Sequence, residues 1–350
     1  MTAIDTVTAE PVDLLLDSPF EISLGEHTVA ENVLVTVETE SGVRGYGEAS
    51  PNQAVTGETQ ETVLAAVDSV GGLLAGRPVA DYRALVSELR RSVGGAPTGL
   101  AAVETALVDC YCRTREIPLA ELFGGSPSPV RTGLTVPLVS PTVAGERAAV
   151  AADRGFETLK IKAGGPVAED VARVSAVRDA APGVSLLVDP NQGWTPARTQ
   201  RFITKLDQAG IEIALLEQPV SKTDLRGLAT VRSEVSVPVA ADEAVFTAVD
   251  ALEAVRQDAV DVINLKVAKS GLLGALDIAA VARAANVELM IGCMLESAVG
   301  THASAHLAAG LGTFEYVDLD STALLADNVA EPGPGPVHSP EGPGHGIIPM

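Results

Sequence analysis

A chain of 350 residues, 46% apolar but only 3% aromatic, has enough Ala, Val, Leu and Ile to bury a substantial core, either as one large α/β barrel with an appendage or as two ordinary domains. Its 46 Asp and Glu outnumber 24 Lys and Arg, and the formal net charge of −22 argues against nucleic acid or anionic membrane as a partner. Only six of the 24 cations are lysine; an acidic surplus with Arg kept and Lys nearly absent points to a halophilic protein, because high salt screens the self-repulsion.

The N-terminal MTAIDTVTAE has neither a basic region nor an apolar run, and no stretch approaches the roughly 18 apolar residues of a membrane span, so a cytoplasmic protein is expected. Residues 1–128 read as an α+β unit, with strand-like ENVLVTVETE and YGEAS joined by the turn SGVRG and followed by Ala/Leu-rich helices. Gly42 through Gly47 read as hairpin punctuation, with the Gly45-x-Gly47 pair a tight turn, since no third glycine or strand-to-helix context makes it a nucleotide loop. Cys110 and Cys112 lie two apart on a predicted helix and face different ways; with Cys293 they read as reduced thiols, and no further Cys or His at ligand spacing makes the pair a metal site.

From residue 129 to 322 the pattern changes to β-rich apolar runs alternating with helical stretches: TGLTVPL, FETLKIK, VSLLVD, IEIALLE, VPVAAD, VDVINLK, VELMIGC and TFEYVDLD. Eight parallel strands closing on themselves predict a TIM-type barrel. Helix starts are marked by Thr195-Pro196 and by Thr247, residues suited to a cap and a first turn. Residues 323–350 form a tail rich in Pro and Gly from Glu331 onward, whose closing GHGIIPM is apolar enough to pack back on the body.

An ionisable residue ends the strand in successive units, at Lys162, Asp189, Glu217, Asp242 and Lys266, in steps of 27, 28, 25 and 24 residues. A barrel gathers its strand ends at one mouth, so these side chains converge, and charges closing buried runs such as LLVD and VAAD need partners. Asp189, Glu217 and Asp242 offer hard oxygen ligands without imidazole or thiolate, a set suited to Mg²⁺ and also to Mn²⁺. Helix N-capping would account for one such Asp but poorly for three acids in succession.

Three of the six lysines, Lys160, Lys162 and Lys266, sit at these strand ends, a choice surface solubility does not explain. Lys160 and Lys162 share a face, so each is expected to lower the pKa of the other toward that of a useful base. Lys266 is four units round the barrel, across the pore. Two bases on opposite sides of a metal-bound carboxylate can take a proton from one face of Cα and return it on the other, while the metal stabilises the enediolate: a racemisation or epimerisation. A phosphate-binding reading of Lys160-x-Lys162-x-Gly164-Gly165 lacks the helix start it requires.

With these residues in view, the chain resembles the enolase superfamily, for which a Lys base with Mg²⁺ is a known pairing. The segments GLAAVETALVDCYCRTREIPLAELFGG, LKIKAGG, VDPNQGW, LEQPV, ADEAV and INLKVAKSG resemble the muconate-lactonising-enzyme subgroup over nearly the whole chain. The resemblance implies a (β/α)7β barrel with an α+β N-terminal capping domain, Lys162 and Lys266 as the acid/base pair, Lys160 as an orienting and tuning residue, and Asp189, Glu217 and Asp242 as Mg²⁺ ligands. The tail would return to the capping domain. Asn191 would support the metal from behind.

YVDLDST, with Asp318 and Asp320 two apart, is similar to the Asp-x-Asp pair with which dipeptide epimerases hold a substrate α-ammonium, a task two carboxylates on one face can perform. An acidic strand end in an acidic protein is the plainer alternative. Thr135, Cys293 and Leu295 match positions that line the dipeptide, or are ordinary barrel packing. Where Ala-Glu epimerases carry a capping-loop arginine, SLGEHTV has Gly25 and Glu26, and Glu26 would suit a cationic or neutral substrate side chain. The SGLLG segment is also one residue shorter than usual, which is expected to shift the loop of Lys266. A cycloisomerase, an o-succinylbenzoate synthase or an N-acyl amino acid racemase would share the metal and lysines but offer no ammonium to the Asp pair. A non-catalytic barrel would be expected to lose some of these residues, yet all are present. A homo-oligomer is compatible with this reading. His302 and His306, four apart without a carboxylate partner, read as helix-packing or surface residues, and Trp194 as packing under the metal loop.

Overall fold

The computed structural model describes residues 2–330, 335–339 and 341–350. Two long strands, β1 (Ile4–Ile22) and β2 (Gly25–Thr39), form an antiparallel hairpin extended by β3 (Arg44–Ala49). The polar residues of β1 alternate too poorly to announce a strand; it is held by its pairing with β2 from Ile4↔Thr39 to Ile22↔Gly25. Helices α1 (Gln60–Leu74), α2 (Tyr82–Ser92), α3 (Pro97–Thr114) and the short α4 (Leu119–Leu122) complete this unit.

Gly42, at φ +80°, makes the predicted turn, but Gly45 and Gly47 lie within β3 rather than in it. Their role is contact: a Cβ at Gly45 would lie 2.2 Å from the Cys110 backbone nitrogen, and one at Gly47 2.1 Å from the Ala102 carbonyl, so the strand rests on the backbone of α3. Cys110 and Cys112 are buried free thiols on that helix, and burial pushes each up to about 12.

After β4 (Val130–Arg131) the chain alternates β5 (Leu134–Val136), α5 (Pro141–Asp153), β6 (Thr158–Lys162), α6 (Val167–Ala180), β7 (Ser185–Asp189), α7 (Pro196–Gln208), β8 (Leu215–Glu217), α8 (Leu225–Glu234), β9 (Val239–Ala241), α9 (Ala248–Arg256), β10 (Val262–Leu265), α10 (Val267–Ala285), β11 (Glu288–Gly292), α11 (Ala298–Leu311) and β12 (Tyr316–Asp318). The eight strands run parallel in chain order, the (β/α)7β arrangement, and the first and last meet where Gly133 N–H donates to the Val317 carbonyl at 3.0 Å. Thr195 and Thr247 cap α7 and α9 as their sequence contexts predict, the latter in a reciprocal capping box with Asp250.

Alternation along the strands stacks Leu187, Leu215, Ala240, Val262 and Met290 into one buried cluster, two residues below the rim positions Asp189, Glu217, Asp242, Asn264 and Gly292. The hairpin tip bends over the rim. Leu14, Leu16, Phe20, Ala30 and Leu325 form a satellite core with Ile22, Leu295 and Leu324, and Leu138 N–H donates to the Glu21 carbonyl. Of the tail, residues 331–334 and 340 lie outside the described residues; β13 (Val337–His338) pairs with β4, and Leu119 N–H donates to the Gly344 carbonyl, so the closing segment does pack on the body.

Candidate active site

Strand register delivers the charges to one place. Lys160 Nζ, fully buried, lies 2.7 Å from Asp318 Oδ2, 2.9 Å from Glu217 Oε2 and 3.3 Å from Asp189 Oδ2. Lys162 Nζ lies 2.6 Å from Asp189 Oδ2, and Lys266 Nζ 2.7 Å from Asp242 Oδ2. Gly292 makes room here, because a Cβ on it would lie 3.0 Å from the Lys266 side chain and 2.8 Å from Asn264 Oδ1. After Lys266, α10 kinks at Gly271, which at φ +68° sits against the Glu104 carboxylate, and that carboxylate accepts from Leu273 N–H at 2.5 Å.

Two residues of this network were not singled out from the sequence. Lys269 donates to Asp242 Oδ1 at 2.6 Å, and Asn264 donates through Nδ2 to Glu217 Oε1 at 2.7 Å. The signals existed: Lys269 is another of the rare lysines, three residues after Lys266, and Asn264 precedes Lys266 by two on one strand face. Gln218 and Glu243, each next to an acidic rim residue, also contribute. Gln218, at φ +34°, accepts through Oε1 from Asp242 N–H and Ala244 N–H, tying two strand ends together. Asn191 and Gln192 share this left-handed backbone, a cost of a kind that clusters at functional sites. Asn191 N–H donates to Asp189 Oδ1 and its Nδ2 to Glu243 Oε1.

The electrostatics correct one expectation. Burial pushes the Lys160 ammonium toward neutrality, but Asp318, Glu217 and Asp189 outweigh it and hold Lys160 well above the usual lysine range, not below it. Neighbouring carboxylates, rather than the other lysine, dominate its surroundings. Lys266 is likewise held up, by Asp242 against the effect of burial. Burial and the nearby Asp189 raise Glu217 to about 8, and burial and Asp242 raise Glu243 to about 7.

Among the described residues no three His, Cys, Asp or Glu stand in a ready metal-binding group, and the lysine ammoniums pair with the rim carboxylate oxygens. The chemistry of the donor set nevertheless fits a hard divalent cation. Buried oxygens without a hydrogen-bond partner crowd the rim at Glu243 Oε2, Asn191 Oδ1, Asn264 Oδ1 and Asp318 Oδ1, and besides burial Asp189 and Asp242 push Glu217 up by repulsion that such an ion would relieve.

The cavity above is lined by Lys160, Lys162, Lys266, Asp242, Asn191, Thr135, Cys293, Leu295, Asp318 and Asp320, so most of the predicted site residues meet there. Asp320 Oδ2 accepts from Thr135 N–H at 2.5 Å, Asp320 Oδ1 faces Cys293 Sγ at 3.8 Å, and burial with the nearby Asp318 raises Asp320 to about 6. Glu26 does not line it. Hairpin pairing with Glu21 leaves Glu26 exposed, and the cap instead presents Phe20, Ile22, His27, Asn52 and Val55, with Leu324 from the tail. The sequence does not mark those residues, because no local pattern says which part of a hairpin bends over a distant rim. Trp194 packs on Phe202 with ring centroids 4.6 Å apart, as expected. His302 and His306 are buried packing residues of α11, the latter accepting through Nδ1 from Ala120 N–H.

Comparison with known proteins bears on this geometry. Residues 3–124 match the mandelate racemase/muconate lactonizing enzyme N-terminal domain, and residues 143–349 the enolase C-terminal domain-like family. The chain is 37% identical to the hydrophobic dipeptide epimerase of Citrifermentans bemidjiense, over 99% of this chain and 98% of the relative. It is 37% identical to the L-Ala-D/L-Glu epimerase of Thermotoga maritima, over 89% and 90%. A crystal structure of the dipeptide epimerase of Enterococcus faecalis V583, complexed with Mg and L-Leu-L-Tyr, superposes with a TM-score of 0.94 at 35% identity, over 98% and 99%.

Proposed function

From its membership of the mandelate racemase/muconate lactonizing enzyme family of the enolase superfamily, to which this chain belongs, we infer that it is a Mg²⁺-dependent dipeptide epimerase, an isomerase that inverts the Cα of a dipeptide's C-terminal residue. The observation that carries this reading is a single cavity lined by lysines from opposite sides of the barrel, Lys162 and Lys266, together with the Asp318–Asp320 pair.

Asp189, Glu217 and Asp242 are the proposed ligands. Mg²⁺ held there, or Mn²⁺ in its stead, supplies positive charge beside the substrate carboxylate and lowers the cost of the negative charge left when the neighbouring Cα–H proton departs. Lys162 and Lys266 face that carbon from opposite sides, so the neutral lysine of the pair takes the proton and the protonated one delivers another to the opposite face. Lys160, gripping Asp318, Glu217 and Asp189 together, fixes the carboxylates in place. Asp318, with its buried unpartnered Oδ1, and Asp320 receive the dipeptide's α-ammonium. That pair favours an epimerase over a cycloisomerase, a synthase or an N-acyl amino acid racemase, whose substrates bring no ammonium.

Phe20, Ile22, Val55, Leu295 and Leu324 give the cavity an apolar wall, which supports a dipeptide with apolar side chains, the neutral rather than the cationic of the two kinds that Glu26 suggested. The same proposal extends to a cytoplasmic, halophilic and self-associating enzyme; no helix among the described residues is long and apolar enough to cross a membrane. A rise in unfolding midpoint from low to molar salt checks the halophilic part.

The mechanism is tested by solvent deuterium exchange. Lys162→Ala and Lys266→Ala should each abolish Cα exchange from one epimer and spare the other, whereas variants that both keep exchanging both epimers would sink the two-base scheme.

A further inference from the structure

Of the six lysines, four surround the rim carboxylates and Lys205 is exposed on α7, which leaves Lys222 to account for. It lies in the loop after β8, half-buried, and donates through Nζ to the backbone carbonyl of Val55 in the cap at 2.8 Å, 167 residues away in sequence. Its own backbone is anchored, because Lys222 N–H donates to Gln192 Oε1 at 2.9 Å. The same ammonium stands 5.9 Å from the centroid of the Phe246 ring, and Lys269 stands 5.1 Å from that centroid while holding Asp242 Oδ1.

The segment that Lys222 grips behaves as one piece. Asn52 accepts through its carbonyl from Val55, Thr56 and Gly57 N–H, and through Oδ1 from Ala54 and Val55 N–H. Residues 52–57 are therefore stitched to Asn52 and move together, while Asn52 and Val55 form part of the cavity wall.

We propose that Lys222 is a positioning residue for substrate: it pins the 52–57 loop of the cap over the cavity mouth, and through the Phe246 ring the pin is seated against the Lys269–Asp242 pair. A buried carbonyl relinquished by Lys222 would have to turn toward water, and the loop would lift with it. The proposal places Lys222 away from the reacting atoms, so its loss weakens substrate retention and leaves proton transfer intact. Its kinetic arm rests on the epimerase reading above; its labelling arm does not.

Cys293 provides the probe, since it lines the cavity while Cys110 and Cys112 are fully buried elsewhere. In full-length Mg²⁺-loaded protein, Lys222→Met should raise KM for the dipeptide turned over fastest by about tenfold with kcat within about threefold, the pattern of lost binding without lost chemistry. Labelling of Cys293 by a small methanethiosulfonate should accelerate by a similar factor, with Cys110 and Cys112 still protected. Lys222→Arg, which keeps the charge and a donor, should restore both readouts, and Phe246→Leu should reproduce part of the labelling change. Unchanged KM and labelling in Lys222→Met would overturn the proposal, as would failure of the Arg variant to rescue, or labelling that spreads to Cys110 and Cys112 and so reports general loosening. If the wild type turns over no dipeptide, the epimerase reading fails, and labelling alone decides the role of Lys222.

Discussion

The barrel rim and the cap face the same cavity and are built on opposite terms. At the rim, four lysines and four carboxylates from strand ends, the residues just after them and the first turn of α10 are buried in mutual ion pairs, each charge bearable only because the others are present. The cap contributes Phe20, Ile22 and Val55, held by a satellite core and a few backbone hydrogen bonds. The contrast teaches a division of labour: rigid strand ends carry the chemistry, where a small displacement is costly, and a hairpin and loop fastened from outside carry selectivity.

The strongest way to break that division is at the rim. Asp242→Ala removes a proposed cation ligand and strands Lys266 and Lys269 together, so epimerisation should fall by about a thousandfold or more and Mg²⁺ heats in calorimetry should vanish. Wild-type-like Mg²⁺ binding in this variant would refute the assignment of Asp242.

A smaller effect is expected in the cap. Phe20→Ala should change kcat/KM by about tenfold between small and large apolar dipeptides, in favour of the large, while deuterium exchange persists at both epimers. The same dipeptide panel should show acidic side chains at least about tenfold poorer than apolar ones in the wild type; acidic dipeptides as best substrates would contradict the apolar wall.

The smallest effect on the reaction, though a measurable one on stability, lies where the two regions meet behind the rim. His306, between α11 and α4, is held down to about 3 by burial, against 6.5 in the unfolded chain. As the folded value is the lower, the unfolded state takes up the proton first. Stability from this residue is complete above pH 6.5 and is lost as pH falls toward about 3, by about 1.4 kcal/mol per unit. Glu296, raised by burial and Glu48 to about 8, contributes with the opposite sign, so the term is read as a difference between wild type and His306→Asn in urea melts at stepped pH. Parallel curves would show that His306 does not titrate as described.

Much of the rim was legible in the chain, since an ionisable residue closing an apolar run once per βα unit has few explanations, and Lys162, Asp189, Glu217, Asp242 and Lys266 do meet. Lys269 and Asn264 carried the same signals, lysine rarity and strand parity, and could have been read. Glu26 went the other way: position in a motif suggested a substrate contact, and hairpin pairing turned the side chain to solvent while His27 lines the cavity. Nor does sequence foretell that Lys160 would face three carboxylates at once, which reverses the direction of its pKa.

The sequence by itself determined the barrel, the rim and the residue types available for chemistry, because strand parity and the βα repeat translate local order directly into convergence at one mouth. Only the tertiary structure decided which cap residues wall the cavity, which charges pair, and that Lys222 reaches Val55. These depend on distances between segments far apart in the chain, and no local periodicity encodes them.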